Sequence, residues 1–355
     1  MSKGGTRIRY AIITLVFVAA MAFILISTMN VKITPATNAT ACWTVKTIPL
    51  SYNPILVAAT SKYLYVLKNY SPPTTSYASI SNSTISVIST ANNTLIKQIK
   101  LNYTVYNLII VNNSLYAIGV YYTSIISTSN NTVLKKIIIN VTKAEIATDN
   151  NYIYGYNTGI VFSGNYMYGI TGYGNTISVI WPYNFSIIKT ISVDNGTYSI
   201  AANNGYVYVD SDGSAYTNEN AKGEVVIISS LNNTVVKTIP TGYESGGSIA
   251  ATGNYVYLAH SNGAISVIST TNYTTVKTIG VGLSPADLKV NKGYIYTTLF
   301  GESQIAVISP SANFSVVKYI PVYSAGPYTP IATTDNHLYI ASGADNISAI
   351  NTTNC

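Results

Sequence analysis

Short apolar runs broken by polar turns organise this chain from about residue 43 to its end. Within the runs, Tyr, Val and Ile tend to fall at every second position, as in "YVYLAH" (Tyr255 to His260). That period of two, with β-branched and aromatic residues, predicts strands. One stretch, "ISVISTTNYTTVKTIGV" (Ile265 to Val281), returns with variations at Ile85 to Leu101, Ser124 to Ile139, Ile177 to Val193, Val225 to Thr241 and Ile305 to Val322. Each copy holds two β-branched runs around a polar, Asn-containing turn, which predicts a β-hairpin. Before each hairpin lies a second pair of runs, such as "SIAATGNYVYLAH" (Ser248 to His260) or "DLKVNKGYIYTT" (Asp287 to Thr298). Four strands in about 40–50 residues is the period of a β-propeller blade.

Six complete units run from about residue 51 to 322. A seventh, Pro330 to Cys355, stops after its third strand. The missing fourth strand, "WTVKTIPL" (Trp43 to Leu50), stands alone near the N-terminus. Placed after the C-terminus it completes the hairpin, so the expected fold is an all-β, seven-bladed propeller closed by strands from both chain ends. Closure also joins the two chain ends non-covalently. The third unit is ambiguous: "AEIATDNNYIYGYN" and "GIVFSGNYMYGI" both read as its first strand pair. The only two cysteines, Cys42 and Cys355, fall at the hairpin turn of the composite blade, so their Cα atoms are expected within disulfide range. A disulfide there implies an oxidising compartment.

The first 41 residues follow another pattern. Lys3, Arg7 and Arg9 precede an uncharged run, Tyr10 to Ser27. Its length falls between a signal-peptide core of about 7–15 residues and a span of about 20. The expectation is a hydrophobic helix that serves as a signal peptide or a retained anchor, with the basic end cytoplasmic and the domain 42–355 outside the cell. A buried core helix and a pilin-type leader are the other readings.

Composition sharpens the picture. Charged residues are only 9% of the chain, and 32 tyrosines with many Asn, Ser and Thr supply polarity instead. Such a surface suits an extracellular, glycosylated protein. Beyond residue 41, 15 lysines face 12 acids, which leaves about +3 and gives no reason to expect nucleic acid. Seven of those lysines (Lys46, Lys97, Lys135, Lys189, Lys237, Lys277 and Lys318) occupy one position in the fourth strand of each unit. An edge-strand lysine deters strand-to-strand aggregation.

The repeat resembles the YVTN-type (YncE-like) β-propeller unit: "YVYLAH" and "AISVISTTNYTTVKTIGVG" match its strand and hairpin, and the likeness spans about 43–355. The resemblance implies a propeller of the kind common on archaeal and bacterial cell surfaces, and no particular activity.

Asn-x-Ser/Thr triplets occur fifteen times. Seven sit at the same hairpin, at Asn92, Asn130, Asn184, Asn232, Asn272, Asn313 and Asn351, and are expected glycan acceptors. Turn chemistry alone explains many such triplets, since Asn suits turns and Thr suits strands. Propeller geometry puts these hairpins on one face and the loops between second and third strands on the other. The longest of those loops are Lys68 to Thr84 and Asp210 to Glu224. Long loops on a rigid ring are common seats of function. The "DSDG" start of the second makes Asp210 and Asp212 the metal candidates, but the spacing fails the 12-residue calcium loop. His260 and His337 occupy different repeat positions, and no nucleophile–base or metal constellation emerges. The expected function is a non-catalytic surface module, with no cofactor, that binds a surface protein or a glycan. Tyr-rich stretches such as Gly164 to Thr176 offer sugar-stacking rings. The alternative is an extracellular hydrolase or lactonase, in which an acid near the channel such as Asp287 would act.

Overall fold

The computed structural model describes residues 42–68, 82–119, 122–138, 159–171, 175–193, 196–211, 223–242, 245–322, 329–342, 345–353 and 355. The expected N-terminal helix, most of the two long loops, Asp212 and the first candidate pair of the third unit lie outside these residues.

All regular structure among the described residues is strand, arranged as seven four-stranded antiparallel sheets. Six sheets take consecutive strands, over 54–101, 105–138, 160–192, 197–240, 245–280 and 285–321. They are blades 1 to 6. Blade 7 is composite: Ile331–Thr333, His337–Ser342 and Asn346–Asn351 are completed by Val45–Pro49. The closing strand pairs in the expected register, from Val45 opposite Ile350 to Pro49 opposite Asn346. The ambiguity in blade 3 resolves to the later pair, Ile160–Ser163 with Tyr166–Thr171.

The local reasons are visible in the turns. Between first and second strands, Asn112–Asn113, Asn204–Gly205 and Lys292–Gly293 each carry two consecutive positive φ angles. That is the type I′ pattern, whose twist matches that of the flanking strands. Between third and fourth strands, a bulge interrupts the register at one place in blades 1 to 6, as at Val87/Ile88 and Val267/Ile268.

The core lies between blades, because both faces of each sheet pack on neighbours. Leu56, Tyr65, Ile85, Val87 and Ile99 of blade 1 meet Val105, Leu108, Leu115 and Ile126 of blade 2. The opposite face of blade 1, with Val57, Leu64 and Val66, meets Tyr339, Ala341 and Ile347 of blade 7. Second strands therefore bury side chains on both faces, which explains runs such as "YLYVL" with little polarity. Their repeat tyrosines Tyr65, Tyr168, Tyr208, Tyr257, Tyr296 and Tyr339 are buried.

Candidate functional site

The richest described geometry is the ring of turns between third and fourth strands. In blades 1, 2, 4, 5 and 7 this turn hydrogen-bonds to the neighbouring turn between first and second strands; in blades 3 and 6 Pro182 and Pro310 stand at the donor position and have no amide hydrogen. Thr90 donates from its backbone to Lys62 O (3.1 Å), Thr128 to Asn113 O (3.0 Å), Ser230 to Gly205 O (2.9 Å) and Thr270 to Asn254 O (2.8 Å). Both sets of turns thus share one face, as the topology requires.

Each turn is also closed from within. The amide of a residue in the left-handed region donates to a carbonyl four residues earlier. Asn93 donates to Ser89, Asn131 to Ser127 and Asn233 to Ser229, each at 2.9 Å, and Tyr273 to Ser269 at 3.0 Å. Asn93, Asn131, Phe185, Asn233, Tyr273 and Phe314 hold φ between 51 and 60°. Aromatic residues in that region carry steric strain, so something must hold them there. In blade 7 the same bond crosses the break in the chain: Trp43, at φ 60°, donates to Asn351 O at 2.8 Å. Cys42 and Cys355 are joined as a disulfide beside this bond, with Cα atoms 5.1 Å apart.

This alignment corrects one expectation. The left-handed residue is the middle member of the sequons at Asn92, Asn130, Asn184, Asn232, Asn272 and Asn313. In blade 7 that residue is Trp43, so the acceptor position before it is Cys42. Asn351 instead occupies the place of Ser89 and Ser269, at the end of the third strand. It is partly buried, beside the fully buried Thr352. Asn346, another sequon asparagine, is also buried. The rim therefore carries six equivalent sequon asparagines, and the seventh position holds the disulfide.

All six asparagines are exposed. In four, the sequon threonine donates its hydroxyl to the asparagine Oδ1: Thr94 to Asn92 (2.7 Å), Thr132 to Asn130 (2.8 Å), Thr234 to Asn232 (2.8 Å) and Thr274 to Asn272 (2.9 Å). At Asn184 the Oδ1 accepts the Ser186 amide at 3.0 Å.

The left-handed residue reaches back to the second-strand tyrosine of the preceding blade. Tyr65 donates to Asn131 Oδ1 at 2.6 Å, and Tyr168 donates to Asn233 Oδ1. Where the residue is aromatic, rings meet instead: Phe185 lies 6.5 Å from Tyr116, and Phe314 lies 5.0 Å from Tyr255 and 6.5 Å from Tyr257. Trp43 donates through Nε1 to Tyr296 Oη at 3.4 Å and stands edge-on to Tyr294. In blades 2, 3, 4, 6 and 7 this contact holds the strained turn in place. Burial pushes the hydroxyls of Tyr168, Tyr208, Tyr257 and Tyr339 up to about 12.

The fourth-strand lysines reach forward along the same seam. Lys97 donates to Asn131 O (3.0 Å), Lys135 to Tyr183 O (3.3 Å) and Lys277 to Asn313 O, each in the next blade's turn. All seven sit at one register position, opposite Val87 in blade 1 and Ala349 in blade 7. They occupy the outer edge of each sheet, as expected, and at least three also tie blades together.

The remaining candidates resolve as parts of the framework. Asp210 belongs to a strand rather than a loop, paired with Ser199 and Val225, and is fully buried with Ser199 Oγ 3.4 Å from its carboxylate. This corrects its placement in the loop Asp210 to Glu224. Asp287 ties three inner strands: it accepts from the Ile331 amide of blade 7 (2.8 Å) and Ser248 Oγ of blade 5 (3.4 Å), and pairs with Lys289 (3.1 Å). His260 is buried with Nε2 2.8 Å from Ser266 Oγ. His337 begins its strand, and burial lowers its pKa below the ordinary histidine value. Among the described residues no three His, Cys, Asp or Glu side chains gather as a metal site needs. In the Tyr-rich stretch of blade 3, Tyr168 is core, while Tyr166, Trp181 and the exposed Tyr183 form a chain of rings 5.8 and 5.4 Å apart beside Asn184. The sequence did carry a signal for the seam: every middle residue of the six sequons is Asn or aromatic.

No family model matches the chain, and no curated protein matches it. Solved structures do. A chain of hydrazine synthase from Kuenenia stuttgartiensis aligns with a TM-score of 0.64 at 13% identity, over 85% of this chain and 96% of that one. The Pan2 WD40 domain of Neurospora crassa aligns with a TM-score of 0.59 at 11% identity, over 86% and 90%. At such identities the likeness speaks to the propeller fold alone.

Proposed function

We propose that this protein is an exported, N-glycosylated, non-catalytic propeller that binds a surface protein or a glycan through the face opposite its sequon-bearing turns. The observation that carries this reading is the rim: six exposed acceptor asparagines at one structural position, all on one face. Sugars there would crowd that face and leave the other open, where the long loops 68–84 and 210–224 connect second to third strands. A basic segment followed by a hydrophobic run favours export of what comes after it, and a disulfide fits an oxidising compartment. The YVTN-type resemblance agrees with a cell-surface role.

The test is cross-linking on intact native cells, then mild extraction and peptide mass spectrometry. The expected result is sugar mass at the six asparagines and a stoichiometric partner cross-linked to Lys68 or Lys100, at the open end of the strands. Both are exposed, as is Lys62 on the sequon face. Partner cross-links confined to Lys62, or recovery of the propeller alone, would overturn the binding assignment. Peptides before residue 42 in the same spectra would report whether the N-terminal segment is retained.

A further inference from the structure

The outer edges of the blades carry a pattern that the binding role does not use. The residue just before each repeat lysine is aliphatic in all seven blades: Val45, Ile96, Leu134, Ile188, Val236, Val276 and Val317. All seven are exposed, at 41–62%. Blades 1, 2 and 4 add Leu95, Val133 and Val235 beside them. Each lies on the last strand of its sheet, with no further strand beyond it among the described residues. An edge strand with exposed aliphatic residues is an aggregation hazard, and one or two lysines per edge are a thin defence.

Resting on the glycosylation proposed above, we infer that the rim oligosaccharides lie along these edge strands and cover them. Three observations select this occupant. In blades 1 to 6 the acceptor asparagine stands four residues before the exposed aliphatic, from Asn92 and Ile96 to Asn313 and Val317. Four strand residues span about 13 Å, close to the sugar's own attachment point. The pattern also encircles the ring, whereas a protein partner covers one contiguous patch. A second copy would bring lysine against lysine at each edge. A pyranose has an apolar face for Ile or Leu, and hydroxyls for the free backbone groups of an edge. Blade 7 lacks the acceptor, since Cys42 replaces it.

The experiment compares the protein from its native host with a variant carrying Thr94→Ala, Thr132→Ala, Ser186→Ala, Thr234→Ala, Thr274→Ala and Ser315→Ala. These changes remove the acceptor motif and leave every asparagine. The sugar-free protein is expected to self-associate at a concentration lower by about tenfold. Its edge-strand amides in blades 1 to 6 should exchange faster, with Val45–Pro49 unchanged as the internal control. Adding Ile96→Thr, Leu134→Thr and Val236→Thr should reverse the self-association. If the six-site variant does not fold, Thr94→Ala alone should speed exchange only over Leu95–Leu101. Absence of sugar at the six asparagines would end the glycosylation reading and this cover together. Sugar present, with self-association and exchange unmoved by its loss, would leave glycosylation standing and overturn the cover alone.

Discussion

Blade 5 and blade 7 build the same turn by different covalent routes. In blade 5 the peptide runs unbroken from Ser269 to Thr274, and Tyr273 closes the turn and docks on Tyr208 of blade 4. In blade 7 the chain is cut, yet Trp43 closes onto Asn351 and docks on Tyr296 of blade 6. The disulfide replaces the missing peptide connection. The difference separates what the blade geometry needs from what continuity supplies. Geometry needs a left-handed residue anchored on the preceding blade; continuity only keeps the two strands at high local concentration.

Replacing both cysteines by serine is the most severe way to break this equivalence. The bond spans 313 residues of sequence. The chain-entropy model gives such a loop about 5–6 kcal/mol, an upper figure in practice. A loss of several kcal/mol in unfolding free energy is expected, with a steeper denaturant slope because the unfolded chain, freed of the cross-link, exposes more surface. A loss below about 1 kcal/mol would show that Trp43 and the strand register close the ring without the bond.

Blade 7 is also fastened at its inner strand, and Asp287→Ala tests that second attachment. The change leaves the buried Ile331 amide without its acceptor and the Lys289 ammonium without its partner. A cost of about 2–3 kcal/mol is expected in the same midpoint. A near-zero effect would mean that water or Ser248 replaces the carboxylate.

The seam between blades offers a finer contrast. Tyr65→Phe removes a hydroxyl that serves Asn131, and a loss of about 1 kcal/mol is expected. Tyr339 is its counterpart in blade 7, facing blade 1. Its hydroxyl is buried with no hydrogen-bond partner, so Tyr339→Phe should be neutral or slightly stabilising. Equal costs at both positions would show that the tyrosine hydroxyls contribute by something other than this bond.

The blade count, the closing strand and the disulfide could be read from the chain because they depend on self-similarity, and each repeat repeats the same local demand. What could not be read depends on the neighbouring blade. Nothing along the sequence says that Asn131 meets Tyr65, because 66 residues and a blade boundary separate them. The misplacement of Asn351 has the same root. Its triplet is genuine, but at the cut the turn borrows Cys42 and Trp43 from the other end, so the local motif no longer marks the structural position. Asp210 was misread because a strand that packs on both faces can bury a carboxylate where alternation suggests a loop edge. Blade 3 was undecided because two strand pairs fit one slot, and only the pairing of Ile160–Ser163 with Tyr166–Thr171 selects between them.

The smallest expected effect is a pH dependence confined to blade 7. His337 stands where blades 1, 3, 4, 5 and 6 carry Tyr63, Tyr166, Tyr206, Tyr255 and Tyr294. Burial lowers its pKa in the fold, so the folded state resists the proton that the unfolded chain accepts near 6.5. Its contribution is therefore intact above the unfolded value and is lost as pH falls through that value toward the folded one. His337→Tyr restores the residue that five of the six other blades carry and removes the titration. The native protein should lose stability relative to this variant between pH 7.5 and pH 5, by less than the losses expected from the cysteine, Asp287→Ala and Tyr65→Phe changes. Thermal midpoints of the two proteins that run parallel across this range would show that the His337 ring is as well solvated in the fold as out of it. The composite blade would then be no more acid-sensitive than its continuous neighbours.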